Sequence, residues 1–496
     1  MVDETDIIRI DGRDNVAVAL HDIVSGETVS GRGITVMATT DVPKGHKIAL
    51  DQIAVGNPVR RYGWPIGIAT MSIMAGAHVH THNLVTTIGT GNNLSETARD
   101  PSEPVTRHAE FQGYRRADGR VGTRNEIWIL CTVGCVASTA RRIAIEANGR
   151  FVGRVDGIHA FGHPFGCSQL GDDLNGTRHI LASLAQHPNA GGVLIIGLGC
   201  ESNQSDALLA SMPDADHKRI RNFAAQLVDD EVEAGVAAIG ELVAIADQDR
   251  RSTCTLADLV IGLKCGGSDG FSGMTANPLV GRIADAVTTA GGRAILTEIP
   301  EIFGAEHLLV ARAANPEVAG RITALVERFK QYFIDYGEPV TENPSPGNIA
   351  GGITTLEEKS LGAVQKAGRA IVTDVIDYGE RTTRPGLTLL EAPGNDAVSS
   401  TALAAAGATI ILFTTGRGTP LGFPVPTLKI ASNTALAERK PGWIDFDAGT
   451  ILRNEAVEGV TDQLLALVQA KASGAATCAE RNGDREIAIW KRGVTL

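Results

Sequence analysis

Cys265, Ser268 and Asp269 arrive together where an apolar run, Leu259–Leu263, breaks into the cluster Cys265-Gly266-Gly267-Ser268-Asp269-Gly270. A short apolar run ended by glycines reads as a buried strand whose C-terminal end opens on a crevice, where backbone approaches a ligand closely. The cluster also matches the G-x-S-x-G nucleophile elbow, a chemistry that needs a histidine late in the chain. Of the 12 histidines only His307 follows Ser268, so a hydrolase triad is set aside. Ser268 and Asp269, with the Gly267 backbone, are read instead as groups that hydrogen-bond a polyol or support a metal.

His78, His80 and His82 stand two apart, which puts all three imidazoles on one face of an extended strand. Neutral imidazole suits iron, zinc, nickel or copper, so two of them with carboxylate or water can hold a catalytic metal. His163 and Cys167, separated by a Pro-Phe-Gly turn, are candidates to join them on one divalent ion. Cys135, Cys167, Cys200 and Cys265 each follow a predicted strand. Three thiolates there can hold an iron–sulfur cluster with one open iron, although the C-x2-C runs that usually mark clusters are missing. Gly416-Arg417-Gly418 lacks the third glycine of a dinucleotide loop, and Arg417 reads as a lone guanidinium whose planar fork suits a carboxylate.

The elements that must position these groups follow from composition and pattern. A chain of 496 residues exceeds one core and suggests about two to four domains. With 57 glycines and 4% aromatics, it reads as an α/β framework with many tight turns. A net charge of -12 argues against nucleic acid or an anionic membrane as partner. The acidic N-terminus is not a signal peptide, and no apolar run reaches the ~18 residues of a membrane span. Seven cysteines without dense spacing fit a reducing cytoplasm.

Residues 1–83 read as a small β module, 84–112 as a linker, 113–250 as an α/β domain with Cys-bearing strand ends, and 251–496 as a C-terminal catalytic α/β domain. From Gly113 onward the pattern is strand, glycine turn, helix, the signature of largely parallel, Rossmann-like sheets that bind ligands at their strand ends. Ala294–Thr297 leads to Glu298 and Glu301, Leu387–Leu390 to Asn395 and Asp396, and Ile410–Phe413 to Arg417. A long chain of this kind is expected to form a homodimer.

Nine stretches together resemble the altronate/galactarate dehydratase family: GHK at Gly45–Lys47, HVHTHN at His78–Asn83, GCSQLGDD at Gly166–Asp173, GLGCE at Gly197–Glu201, CGGSDGFSGMTANP at Cys265–Pro278, NPSPGN at Asn343–Asn348, GGITTLEEKSLG at Gly351–Gly362, APGNDA at Ala392–Ala397 and TGRGTP at Thr415–Pro420. The likeness runs end to end and implies an N-terminal β-clip (SAF-type) module. It departs at His163-Pro164-Phe165, where the family carries a small hydroxyl residue and a tyrosine after the histidine. The family also includes a galactarate dehydratase and a split sulfolactate sulfo-lyase. The retained HVHTHN run points to the altronate branch.

The resemblance implies an Fe2+- or Mn2+-stimulated hydro-lyase that takes D-altronate to 2-dehydro-3-deoxy-D-gluconate in hexuronate catabolism. A base must remove the proton on C2 while positive charge stabilises the developing enediolate, and an acid must protonate the departing 3-hydroxyl. On this reading His78 and His80 hold the metal with His163 and Cys167 as secondary ligands, and Arg417 clamps the substrate carboxylate. Ser268, Asp269, Asn395, Asp396 and the Gly267 backbone read hydroxyls, Lys359 or Lys366 is the base, and Glu358 the acid. A related aldonate or aldarate dehydratase, or a non-catalytic sugar-acid sensor using the same crevice, are the alternatives.

Overall fold

Short β-prone runs separated by glycine turns build the N-terminal module. The computed structural model describes residues 5–31, 33–88, 106–453 and 456–495. Strands Ile7–Ile8, Val16–Ala19, Lys47–Ala49 and His78–Val79 form one antiparallel sheet, and Pro58–Arg61, Trp64–Ala69 and Leu84–Val85 another. Four turns share an aliphatic residue followed three positions later by glycine: Ile23/Gly26, Val42/Gly45, Ile53/Gly56 and Ile73/Gly76. All four glycines are left-handed, with φ between 78° and 91°, where a Cβ is disfavoured. The aliphatic residues bridge in pairs, Ile23 with Val42 and Ile53 with Ile73, so the module is a folded-over repeat.

Two parallel sheets follow. The smaller orders its strands Ile158–Phe161, Glu126–Cys131, Ala190–Gly197, Ile220–Ala224. The larger runs Val372–Ile376, Gly386–Leu390, Arg293–Leu296, Val260–Cys265, Ile410–Thr415, Thr427–Ala431, Phe446–Asp447. The central strands Val260–Cys265 and Ala190–Gly197 are buried on both faces, which explains runs of apolar residues without alternation. Parallel pairing aligns all the C-terminal strand ends of a sheet on one edge.

The stretch read as a linker is structured at both ends. Leu84–Val85 pairs with Trp64–Ala69, and Glu110–Arg115 pairs with Ser252–Thr255, while residues 89–105 lie outside the described residues. Backbone hydrogen bonding to a neighbouring strand overrides the polar composition of these flanks. Among the described residues no helix is long and apolar enough to cross a membrane.

The module is docked on the larger sheet's domain through buried polar contacts. Lys47 Nζ sits 2.9 Å from Glu358 Oε2 and donates to the Gly352 carbonyl, and Arg61 donates to Glu358 Oε1 at 2.6 Å. Thr87 N–H and the Thr86 hydroxyl donate to Glu357. Backbone meets backbone at Gly270, where a Cβ would lie 2.0 Å from the Gly45 carbonyl oxygen. Gly270→Ala is therefore expected to push the module off its seat at a cost of ~1–3 kcal/mol, read as a lowered midpoint in chemical denaturation.

Candidate active site

The larger sheet has a topological switch beside Val260–Cys265. That strand leads to Arg293–Leu296 on one side, while Ile410–Thr415 pairs on the other and continues outward to Thr427–Ala431. Open α/β sheets bind ligands outside the strand ends at this point. The two loops flanking the switch are tied together, since Gly416 and Arg417 N–H both donate to the Gly267 carbonyl at 3.1 Å. Gly267 reaches this position with φ 63°. A cavity of about 660 Å³ opens here, walled by Gly267, Ser268, Glu301, Asn348, Lys359, Asn395 and Asp396 among others. A larger groove, about 830 Å³, lies at Asp172, Arg328, Tyr332 and Arg492 and contains none of the candidate site residues read from the sequence.

At the cavity wall and beneath it three ammonium groups and three carboxylates interlock around one thiol. Lys264, fully buried, contacts Glu298 and sits 2.8 Å from Asp396 Oδ1. Lys366 Nζ lies 2.8 Å from both Glu298 Oε2 and Cys265 Sγ. Lys359 Nζ lies 2.8 Å from Glu301 Oε1 and donates to Asn343 and Asn348 Oδ1. The Cys265 thiol donates to Glu301 Oε2 at 3.1 Å. Glu298 takes a left-handed backbone, φ 67°, a strain of about 1–3 kcal/mol that aims its carboxylate back at two lysines.

Matched charges settle the protonation states. Burial alone would lower Lys366 and Lys264, but the neighbouring carboxylates and Cys265 outweigh it and hold both above the ordinary lysine value. Burial would raise Glu301, and Lys359, Lys366 and Lys264 instead bring it to about 2. Burial, then Glu298 and Glu301, push the Cys265 thiol up. Cys265, Glu298 and Glu301 offer donor atoms within 4.8 Å of one another, the one such group among the described residues. Three lysine ammoniums, Lys264, Lys359 and Lys366, already sit on these donors, so a metal cation does not fit there.

Several sequence expectations are corrected by these contacts. Glu358 cannot serve as acid: its carboxylate accepts from Lys47, Arg61 and Thr354, and although burial would raise it, the two cations bring it to about 2. Lys366 is poorly placed as base, being buried and held protonated away from the cavity wall. Asp269 is consumed by the fold, accepting from Ser272 N and Oγ, Ser432 Oγ and Asn433 Nδ2. His163 is closed to metal, since Nε2 donates to the Cys131 carbonyl at 2.8 Å and Nδ1 accepts from Phe165 N–H at 3.1 Å. Cys167 is exposed in a loop of the smaller sheet and does not converge with His78 and His80 on a single-ion site.

Other candidates are placed at the cavity. Ser268 is buried in its wall, with its carbonyl accepting from Asn348 Nδ2 at 2.8 Å. Lys359 faces the cavity on the helix Leu356–Ala363. Asn395 caps the helix Asp396–Ala405 through its carbonyl oxygen, which accepts from Ala397 and Val398 N–H and leaves its amide N–H groups for a ligand. Asp396 lies at the wall but is engaged by Lys264. Arg417 is exposed, with one guanidinium N–H donating to the Gly347 carbonyl at 3.3 Å.

The histidines form a stack in the N-terminal module. His78 lies in a two-residue strand and His80 and His82 in the turn beyond it, so a shared strand face does not account for their meeting. Their rings still cluster, with centroids 5.2 Å apart for His78 and His80 and 5.5 Å for His78 and His82. A fourth ring, His46, joins them: a nitrogen of it lies 3.0 Å from His78 Nε2, and its ring stacks on His80 at 4.9 Å. Sequence reasoning missed His46, although it sits inside the quoted GHK run and its neighbours pair with His78 across the sheet. Burial, then His46 and His80, draws His78 down to about 3, and burial likewise lowers His46 and His80. The rings are therefore neutral donors, the form a divalent cation needs.

The segment Asn343–Gly352 connects the stack to the cavity. His80 Nε2 reaches the Ile349 carbonyl at 3.1 Å and His46 Nε2 the Ala350 carbonyl at 3.4 Å. One residue earlier, Asn348 holds Lys359 and Ser268. Glu301 and Asn348 are the other residues missed as site members. The signal was a carboxylate just past a strand end in the first case and a side chain inside NPSPGN in the second.

Comparison with known sequences matches three family models in succession: the altronate/galactarate dehydratase SAF domain over residues 5–87, the D-galactarate dehydratase/altronate hydrolase second domain over 113–247, and the D-galactarate/altronate dehydratase C-terminal domain over 256–495. The chain is 49% identical to an altronate dehydratase of Escherichia coli and 48% identical to one of Bacillus subtilis, over 99% of both chains in each comparison. It is 34% identical to the E. coli galactarate dehydratase (L-threo-forming), over 94% of this chain and 92% of that one.

Proposed function

The chain belongs to the altronate/galactarate dehydratase family and is a hydro-lyase, and we propose that it removes water from D-altronate to give 2-dehydro-3-deoxy-D-gluconate. The observation that carries this reading is the lysine–carboxylate pair Lys359–Glu301 at the wall of a cavity that also presents hydroxyl-reading groups. Lys359 is the side chain placed to take the C2 proton and to return it to the departing 3-hydroxyl, so that one group serves as base and then acid. Glu301, Asn343 and Asn348 fix where its nitrogen points. Arg417 pairs with the substrate carboxylate, and Ser268, the Asn395 amide and the Gly267 backbone contact the chain hydroxyls.

His78 and His80, with His46 beside them, would hold Fe2+, for which neutral imidazole is a suitable donor; their ring nitrogens do not all lie within 4.8 Å of one another, so the rings would have to draw together on the ion. When bound, the ion would supply the positive charge that a developing enediolate needs. His80→Ala is expected to lose bound metal and turnover together, each by about 10–100-fold, as read by metal content and product formation. Unchanged metal content in that variant would remove the ion from the histidines. The substrate assignment is tested by anaerobic assays with Fe2+ on D-altronate, galactarate and sulfolactate. A 2-keto-3-deoxy product from galactarate alone would overturn it, and binding of altronate without turnover would mark a sensor.

A further inference from the structure

We propose that Cys135, Cys167 and Cys200 form a second metal site, holding an iron–sulfur cluster through three thiolates on the C-terminal edge of the smaller sheet. They follow the adjacent parallel strands Glu126–Cys131, Ile158–Phe161 and Ala190–Gly197, with Glu126–Cys131 in the middle. All three are free and exposed, whereas Cys131, Cys254, Cys265 and Cys478 are buried. The contrast separates thiols presented to a ligand from thiols used as small apolar groups.

The three loops are joined to one another. Gly134 N–H, beside Cys135, donates to the Phe165 carbonyl at 2.9 Å, and Asn203 N–H donates to the Gly166 carbonyl, beside Cys167, at 3.1 Å. Asn203 Nδ2 also reaches the Thr132 carbonyl at 3.2 Å, so the loop bearing Cys200 is pinned to both of the others. An independent observation comes from Gln169. Its Oε1 accepts from Gly166 N–H at 2.9 Å, which fixes the amide next to Cys167, while Nε2 is buried with no partner. A buried donor without an acceptor is costly, and a cluster sulfide beside Cys167 would satisfy it.

Spacing selects a cluster over a single ion. The outer two loops are two strand spacings apart, about 10 Å, and the three sulfurs do not fall within 4.8 Å of one another. A single ion needs its sulfurs closer than that, with bonds of about 2.3 Å, whereas a cluster spreads its ligands over several irons. Each thiol gives up its proton as its sulfur takes an iron; with ferrous and ferric iron supplied in equal amounts a four-iron cluster assembles on sulfide without net electron transfer, and the fourth iron is left without a protein ligand. The site is on a different sheet from the cavity proposed for dehydration and does not rest on that reading.

The test is anaerobic reconstitution of the full chain with equal amounts of Fe2+ and Fe3+ plus sulfide, and separately with the same iron alone. The expected result is a broad visible absorption with iron and acid-labile sulfide retained in equal amounts only in the first case. Cys135→Ser, Cys167→Ser and Cys200→Ser should each abolish the absorption and the sulfide with an unchanged melting temperature, and Cys254→Ala should retain both. Three outcomes would overturn the proposal: a wild type that retains no sulfide, a band that survives in the triple serine variant, or iron bound without sulfide and lost in the same variants.

Discussion

Lys359→Met is expected to lower kcat by about 10²–10⁴-fold while the chain stays folded. Lys359 is the cavity-facing member of the buried network, joined to Glu301 and to two asparagine side chains. Its removal leaves Glu301 with the charges of Lys366 and Lys264 still nearby, so the network loses one member rather than collapsing. The measurement is steady-state dehydration of D-altronate alongside thermal melting. A proton-handling role shows as a fall in kcat with KM little changed, whereas a merely structural role would move the melting temperature and KM together. Lys366→Met is the control. That lysine bridges Cys265 and Glu298 below the floor, and its loss should cost stability more than turnover. A folded Lys366→Met chain with the larger loss of kcat would transfer the base to Lys366.

Architecture was legible because its cause is local. Apolar runs ended by glycine, such as Leu259–Leu263 before Gly266, can hardly be anything but buried parallel strands, and their ends gather on one edge whatever the details between them. Ser268 and Asn395 were placed at strand ends by that rule, whereas Lys359, on the helix Leu356–Ala363, was named from the family resemblance. What the sequence hides is who pairs with whom across the chain. Glu358 looks like a free acid on a loop helix until Lys47 and Arg61, some three hundred residues earlier, are seen to close on it. Asp269 sits next to a reactive-looking serine, yet Ser432 and Asn433 claim it. His163 satisfies its own turn and has no lone pair to give. His46 was passed over for the opposite reason: a single histidine carries no spacing pattern, and only antiparallel pairing of Ile48 with His78 brings its ring into the stack.

Glu358→Ala is expected to destabilise the chain by ~3–5 kcal/mol, because it leaves two buried cations without a counter-charge. Lys47 and Arg61 are 0% and 1% exposed, and the Thr354 N–H and hydroxyl lose their acceptor as well. Burial draws Lys47 down to about 8 even beside Glu358, so desolvation of the ammonium offsets part of what the pair contributes. Lys47→Met combined with Glu358→Gln should for that reason recover much of the loss, a coupling that a double-mutant cycle reads directly. The sign of the pH dependence follows from Glu358. Its carboxyl falls from 4.5 to about 2 on folding, so its contribution, about 3 kcal/mol, is fully present above 4.5 and disappears as pH falls from there toward 2. Chemical denaturation of the wild type through that window should show the decline, and Glu358→Ala should show less of it. The consequence reaches the site, because the same contact seats His46 on the Ala350 carbonyl and His80 on the Ile349 carbonyl. A Glu358→Ala chain that keeps wild-type stability and wild-type metal content would show that the module is held by its apolar packing alone.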